Sequence, residues 1–103
     1  DGSRLPADAI LYATGFDNMN SWVAKLISPE VAERIGPCWG FGSGIERDPG
    51  PWEGELRNMW KPTRQPGLWF HGGSLQQSRS FSRYLALQIK ARMENLPIDV
   101  YQG

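Results

Sequence analysis

The chain has 103 residues, with 11 basic and 11 acidic side chains and therefore a formal net charge of zero. This length suits one small domain, and a hydrophobic fraction of 40% is typical of a globular protein rather than a disordered one. A neutral chain lacks the basic excess of proteins dedicated to nucleic acids or anionic membranes. The single cysteine, Cys38, excludes an internal disulfide and a zinc cluster. No segment approaches the roughly 18 apolar residues of a membrane span.

An apolar run near the start predicts the first strand, over residues 7–14, ADAILYAT. Residues 10–13 are apolar and Gly15 follows them, which is typical of a short buried strand. Turn-forming residues come next, and residues 21–27 are predicted to form a short helix.

The sequence of residues 28–36 predicts a second short helix. Ser28 is a good N-cap, Pro29 suits the first helical position, and Glu30 suits the positive end of the helix. Gly36 and Pro37 supply a terminating glycine and a helix breaker.

Residues 37–67 are rich in Gly, Pro and Trp and show little periodicity. Within them, we expect a short strand at 38–41, a turn at 48–51, and one or two helical turns over 53–60. An irregular stretch of this length inside a compact domain usually serves a function.

A second short strand is predicted at 68–71, followed by the longest helix, at 76–94. Ser74 and Ser78 are both suitable N-caps for this helix. On one face of this helix, apolar residues recur at four-residue steps, and Tyr84 joins them: Phe81, Leu85, Ile89 and Met93. Leu87 and Ala91 widen the apolar surface, so we expect the helix to be buried on two sides. Residues 95–97 end the helix, and an extended, loosely held tail follows.

Both predicted strands end in glycine, which is the pattern from which we infer a ligand site. In α/β proteins, ligands bind beyond the carboxyl ends of strands, and a helix start offers free amides to an electron-rich group. The alternative for Gly72 and Gly73 is ordinary capping with tight packing between strand and helix.

The remaining candidates for chemistry have simpler interpretations. His71 is the only histidine, and without an evident partner we interpret it as structural. We interpret Cys38 as a small buried hydrophobic residue. Nothing in the sequence around Glu53 and Glu55 indicates that they act as an acid/base pair. One set of aromatic and arginine side chains could instead stack on single-stranded bases: Trp52, Trp60, Arg57 and Arg64. The neutral net charge of the chain opposes this alternative.

Two stretches carry a family resemblance when they are taken together. DAILYATGF, at 8–16, resembles the ATG-F/Y motif of flavin-containing monooxygenases and their class B relatives, including Baeyer–Villiger enzymes. DPGPWEGELRNMWKPT, followed by GLWFHGGSLQQSRSFSRYLALQIKAR, is similar to the C-terminal part of FAD/NAD(P)-dependent, flavin-containing-monooxygenase-like oxidoreductases. The resemblance covers nearly the whole chain.

The resemblance implies FAD and NADPH as cofactors and a small-molecule substrate, with no metal. Thr14 and Gly15 would lie near the junction of FAD and NADP. Gly72 and Gly73 would let the flavin approach the backbone. Amides at the start of the last helix would face its polar edge: those of Gln76, Gln77 and Ser78. The Trp-rich stretch 37–66 would lie near the active-site cavity, and the resemblance identifies no catalytic residue in this chain.

The chain departs from the family pattern, because it contains neither a G-x-G-x-x-G turn nor the family's FxGxxxHxxx motif. We therefore expect residues 1–103 to be the C-terminal portion of an FAD-binding domain in a cytoplasmic parent protein. The expected fold is an α/β fragment of a two-dinucleotide-domain flavoprotein, inactive alone and completed by the rest of the parent chain. The alternative is an autonomous α+β interaction module without activity. Exposed strand edges and apolar faces would favour self-association of the isolated chain.

Overall fold

The computed structural model describes residues 2–48 and 56–100. Three helices form in these ranges: α1 (Asn20–Leu26), α2 (Pro29–Ile35) and α3 (Leu75–Met93). No strand forms in either range, so the prediction of an α/β fragment with two short strands is wrong.

The strand predicted at 7–14 is absent because this segment packs against nothing within the described residues. Ile10, Leu11 and Tyr12 are exposed at 72%, 94% and 85%. An extended segment becomes a strand only when a neighbour accepts and donates its backbone hydrogen bonds. The apolar pattern that predicted a buried strand therefore produces an exposed, irregular segment.

The strand predicted at 68–71 is reduced to two isolated bridges. Phe70 pairs in parallel with Met59, and Trp69 pairs in antiparallel fashion with Pro62. A proline has no amide hydrogen, so the pairing cannot extend into a ladder at this point. The strand predicted at 38–41 is also absent, although the Trp39 amide donates to the Arg57 carbonyl at 2.8 Å.

The helical turns predicted over 53–60 lie partly outside the described residues, which resume at Leu56. From there the backbone makes a turn and no helix. Asn58 and Trp60 have positive φ angles, 57° and 63°, which a right-handed helix does not allow.

The two short helices form as predicted. Ser28 caps α2, and its Oγ accepts the Val31 amide at 3.2 Å. Pro29 occupies the first helical position, and Gly36 stands at the end with φ 77°. A hydrogen bond from the Ser28 side chain lowers the pKa of Glu30, which fits an acidic residue in the first turn. α1 and α2 pack together, and Asn20 Nδ2 donates to the Ala32 carbonyl at 2.9 Å.

The long helix also forms as predicted, and Ser74 rather than Ser78 is its N-cap. Ser74 and Gln77 form a reciprocal capping box: Ser74 Oγ accepts the Gln77 amide, and Gln77 Oε1 accepts the Ser74 amide. At the other end, Asn95 has φ 55° and the Leu96 amide donates to the Ala91 carbonyl at 2.8 Å. This is the Schellman arrangement, with asparagine in the left-handed position.

The hydrophobic core is small and lies between α1, α2 and the 56–70 segment. Its buried members are Val23, Ala32, Ile35, Cys38, Leu56, Met59, Trp60 and Phe70. α3 covers one side of it with Phe81 and Leu85, which are only half-buried, and no residue of α3 is buried. Two-sided burial of α3 is therefore wrong, since Tyr84 and Leu87 are exposed at 60% and 67%.

Trp60 joins α3 to the rest of the structure. Its ring stacks on Phe81 at 5.7 Å between centroids and meets the edge of His71 at 4.4 Å. The Gln88 carboxamide adds two hydrogen bonds, from Nε2 to the Trp60 carbonyl at 2.9 Å and to Oε1 from Trp69 Nε1 at 3.1 Å. Among the described helices, none has the length and apolar character needed to cross a membrane.

Candidate functional site

A cleft of about 1180 Å³ opens between the segment before α1, the 39–46 loop and the start of α3. Its walls are mainly apolar. The aromatic and sulfur-containing side chains in these walls are Phe16, Met19, Trp22, Trp39, Phe41 and Met59. This composition is typical of a small-molecule pocket, in which apolar walls surround a few polar groups.

Asn18 holds two walls of the cleft together from behind. Its side chain is buried, with Nδ2 donating to the Cys38 carbonyl at 2.8 Å and to the Phe41 carbonyl at 3.3 Å. Oδ1 accepts the Cys38 amide at 2.8 Å. Because the carboxamide satisfies backbone groups that would otherwise be buried without partners, it fixes the 38–41 segment beside α1.

Gly42 allows this loop to approach the segment before α1. It has φ 73°, and a Cβ at this position would lie 2.6 Å from both the Asn18 nitrogen and the Phe16 oxygen. These are backbone atoms that cannot move aside independently. The close approach of two backbones therefore requires glycine here.

The start of α3 forms the opposite side of the cleft. Gly73, Ser74 and Gln77 line it. The capping box engages the Ser74 and Gln77 amides, and the Ser78 amide donates to the Ser74 carbonyl at 2.9 Å. Helix geometry leaves the amides of the first two helical residues, Leu75 and Gln76, without intrahelical acceptors.

The two glycines before α3 have neighbours within the chain itself. A Cβ on Gly72 would lie 2.8 Å from Met19 Sδ and 3.2 Å from Met59 Cε. A Cβ on Gly73, which has φ 81°, would lie 2.4 Å from Gln77 Oε1. Internal packing and capping thus account for both glycines, which is the alternative that the sequence left open.

The predicted cofactor-binding residues are only partly brought together. Gly73 and Gln77 line the cleft, whereas Gly72 lies behind it against the methionines. Ser78 Oγ donates to the Gly72 carbonyl at 3.4 Å, and Gln76 is exposed. Thr14 and Gly15 are exposed and do not line the cleft, although the adjacent Phe16 does.

The roles of Asn18, Met19 and Gly42 are not evident from the sequence. The stretch that contains Asn18 and Met19 predicts only turns. The signal for Gly42 was its place in GFGSG, where glycines recur in a loop without the strand and helix of a phosphate-binding turn. Such glycines indicate close backbone approach whether or not a ligand is involved.

Cys38, behind the cleft, is unsuited to nucleophilic chemistry. Its side chain is fully buried, and burial raises the pKa of the thiol to about 12, although the nearby Arg57 lowers it. At neutral pH the residue is therefore protonated and inert. His71 is exposed and contacts the ring of Trp60 outside the cleft lining.

The described residues of the cleft offer aromatic and methionine side chains but no phosphate-binding turn. Within residues 2–48 and 56–100, no strand–turn–helix unit offers a pyrophosphate site. The same residues contain no group of three or more His, Cys, Asp or Glu placed to hold a metal.

No family model matches the sequence, and no curated protein matches it.

Proposed function

We propose that this chain is part of an FAD-dependent, NAD(P)H-using, monooxygenase-like oxidoreductase and forms walls of its active-site cavity. One observation carries the proposal: the two motifs of the resemblance meet at one apolar cleft. Phe16 ends DAILYATGF, and Gly73 lies in FHGGS, far along the chain, yet both line this cleft.

In this proposal the chain contributes apolar walls that exclude water, rather than groups that transfer protons. Apolar walls such as those of Trp39 and Met19 exclude water from a bound ring, and exclusion of water protects reactive intermediates from side reactions. Bound FAD would supply the redox chemistry. The rest of the parent chain would hold the pyrophosphate of FAD and the NADPH.

The exposed segment before α1 supports the view that another part of a longer protein packs against this chain. Leu11, Tyr12 and Phe16 are each more than four-fifths exposed. Burying large apolar side chains of this kind stabilises a protein by about 1.5–3 kcal/mol each. We expect a further part of the parent chain to cover them.

The exposed apolar side chains also suit a second candidate, an interaction module without catalytic activity. Sedimentation of the chain alone distinguishes the two. A stable, compact monomer favours the module, whereas a dimer or aggregate fits a piece that lacks its packing partner.

The proposal is tested by purifying the complete protein that carries this chain and recording its visible absorption. We expect bound flavin, identified after release by chromatography against FAD and FMN standards. With folding of each variant established by circular dichroism, Gly42→Ala should retain less flavin than Gly44→Ala. Only the first places a Cβ against the wall of the cleft. A folded, colourless protein that does not take up added FAD would contradict the proposal.

A further inference from the structure

The charge of the cleft lining has one sign. Among the 16 described residues that line it, only Asp17 and Glu46 are charged, and both are exposed acids. No lysine or arginine is among these described residues. Two carboxylates without a basic partner in the described lining favour a cation over an anion, and because water screens both exposed carboxylates this preference is modest.

The aromatic rings of the cleft add to this preference. The face of an aromatic ring carries partial negative charge, and tryptophan attracts cations most strongly. Trp22 already has the Lys25 ammonium 5.5 Å from its ring centroid. Trp39 is half-buried in the wall and is the better candidate for a ligand, because the ring of Trp22 already faces Lys25.

We propose that this cleft binds a hydrophobic organic cation, of the aryl or alkyl quaternary ammonium class. The ammonium group lies over the ring of Trp39, and the apolar group lies against the other apolar walls, which include Met19. Charge complementarity selects this occupant: an anionic ligand would face two carboxylates, and a neutral one would gain nothing from them.

This inference does not rest on the proposed function and goes beyond it: the cation binds the chain alone, and a flavin ring held by the complete protein would compete with it for Trp39. A quaternary ammonium has no lone pair to accept oxygen, so it is a ligand of the cleft and not an oxygenation substrate. The partial positive charge at the start of α3 opposes a cation on the Ser74 side, which places the ammonium away from that helix. Lys25, beside Trp22, is a further positive charge near the cleft.

The test is calorimetric titration of the full chain with benzyltrimethylammonium and with neopentylbenzene, its neutral isostere. We expect the cation to bind about threefold to tenfold more tightly. Asp17→Asn combined with Glu46→Gln should reduce this difference in affinity, leaving the part that the ring of Trp39 contributes. The control combines Asp8→Asn with Glu33→Gln, two exposed acids outside the cleft, and should keep the difference.

A second variant, Trp39→Leu, should weaken binding of the cation more than binding of the neutral isostere. Circular dichroism of each variant establishes that it is folded. Equal affinity of the two probes for the unaltered chain would overturn the proposal, as would absence of binding by the cation. A cation preference that is undiminished in the Asp17 and Glu46 double variant would also overturn it. None of these outcomes depends on whether the complete protein holds flavin.

Discussion

The carboxamide of Asn18 pairs with the backbone of Cys38 in both directions, since Nδ2 donates to its carbonyl and Oδ1 accepts its amide, each at 2.8 Å. The side chain thereby acts as a substitute for a strand neighbour. It satisfies a buried backbone segment in a part of the chain where the structure forms no sheet. The cleft depends on this contact, because its wall residues Trp39 and Phe41 belong to the 38–41 segment that Asn18 holds.

Replacing Asn18 by alanine should lower the free energy of unfolding by about 2 kcal/mol, because the buried amide and carbonyl of Cys38 lose their partners. Urea denaturation of the full chain, followed by tryptophan fluorescence, measures the change. Asp17→Ala, at the neighbouring exposed position, is the control and should change stability little. An equal, small effect of both substitutions would show that Asn18 does not hold the wall.

Gln88→Ala should destabilise the chain by about 1–3 kcal/mol, since it removes the hydrogen bonds that tie α3 to Trp60 and Trp69. Gln76→Ala is the matched control, because Gln76 lies in the same helix and is exposed. Unfolding in urea, followed by circular dichroism, compares the two. If both variants unfold at the same urea concentration, docking of α3 through Gln88 is disproved.

Gly42→Ala should cost more than about 3 kcal/mol, since it combines a left-handed backbone with a Cβ pressed on two backbone atoms. Gly44→Ala should cost only about 1 kcal/mol, because Gly44 has φ 70° but open space around it. Thermal and urea unfolding of both variants measure the difference. Equal costs would mean that the 39–46 loop does not press against residues 16–18.

The Cys38 thiol should react slowly with alkylating reagents until the chain unfolds. Its pKa is raised from 9.0 to about 12, so at pH 8 the folded chain holds about a thousandfold less thiolate than the unfolded chain. Alkylation followed by mass spectrometry, with and without urea, measures this protection. Rapid alkylation of the folded chain would contradict the burial of this side chain.

The same residue predicts how stability depends on pH. Between pH 9 and 12 the unfolded chain has lost the thiol proton that the folded chain retains. Stability should therefore fall as the pH rises through this range and should be unaffected by Cys38 at lower pH. The decline should be shallower in Cys38→Ala, and an identical decline in both proteins would assign it to other groups.

The sequence predicted all three helices because their signals are local. The caps Ser28 and Ser74, with Pro29 and Gly36, act within one turn and need no distant partner. The prediction of two strands was wrong because a strand needs a neighbouring strand to pair with its backbone. An apolar pattern such as that of residues 7–14 does not show whether such a neighbour exists. The structure uses single side chains instead, as Asn58 does when it donates from Nδ2 to the Ile35 and Pro37 carbonyls.

The candidate site could be predicted only in outline. The sequence indicated that the glycines before α3 lie at a crowded corner, and the crowding comes from Met19 and Met59. Nothing in the sequence showed that these methionines would reach Gly72 from distant segments. Tertiary contacts of this kind follow from how the loops fold, and loops carry little periodic signal.

The most direct measurement for the proposed function is a crystal structure of the complete protein with its cofactor bound. The proposal predicts that the isoalloxazine ring lies within about 4 Å of cleft residues that include Trp39 and Gly73, which is van der Waals contact. A ring located elsewhere, with this cleft filled by other parts of the protein, would contradict it.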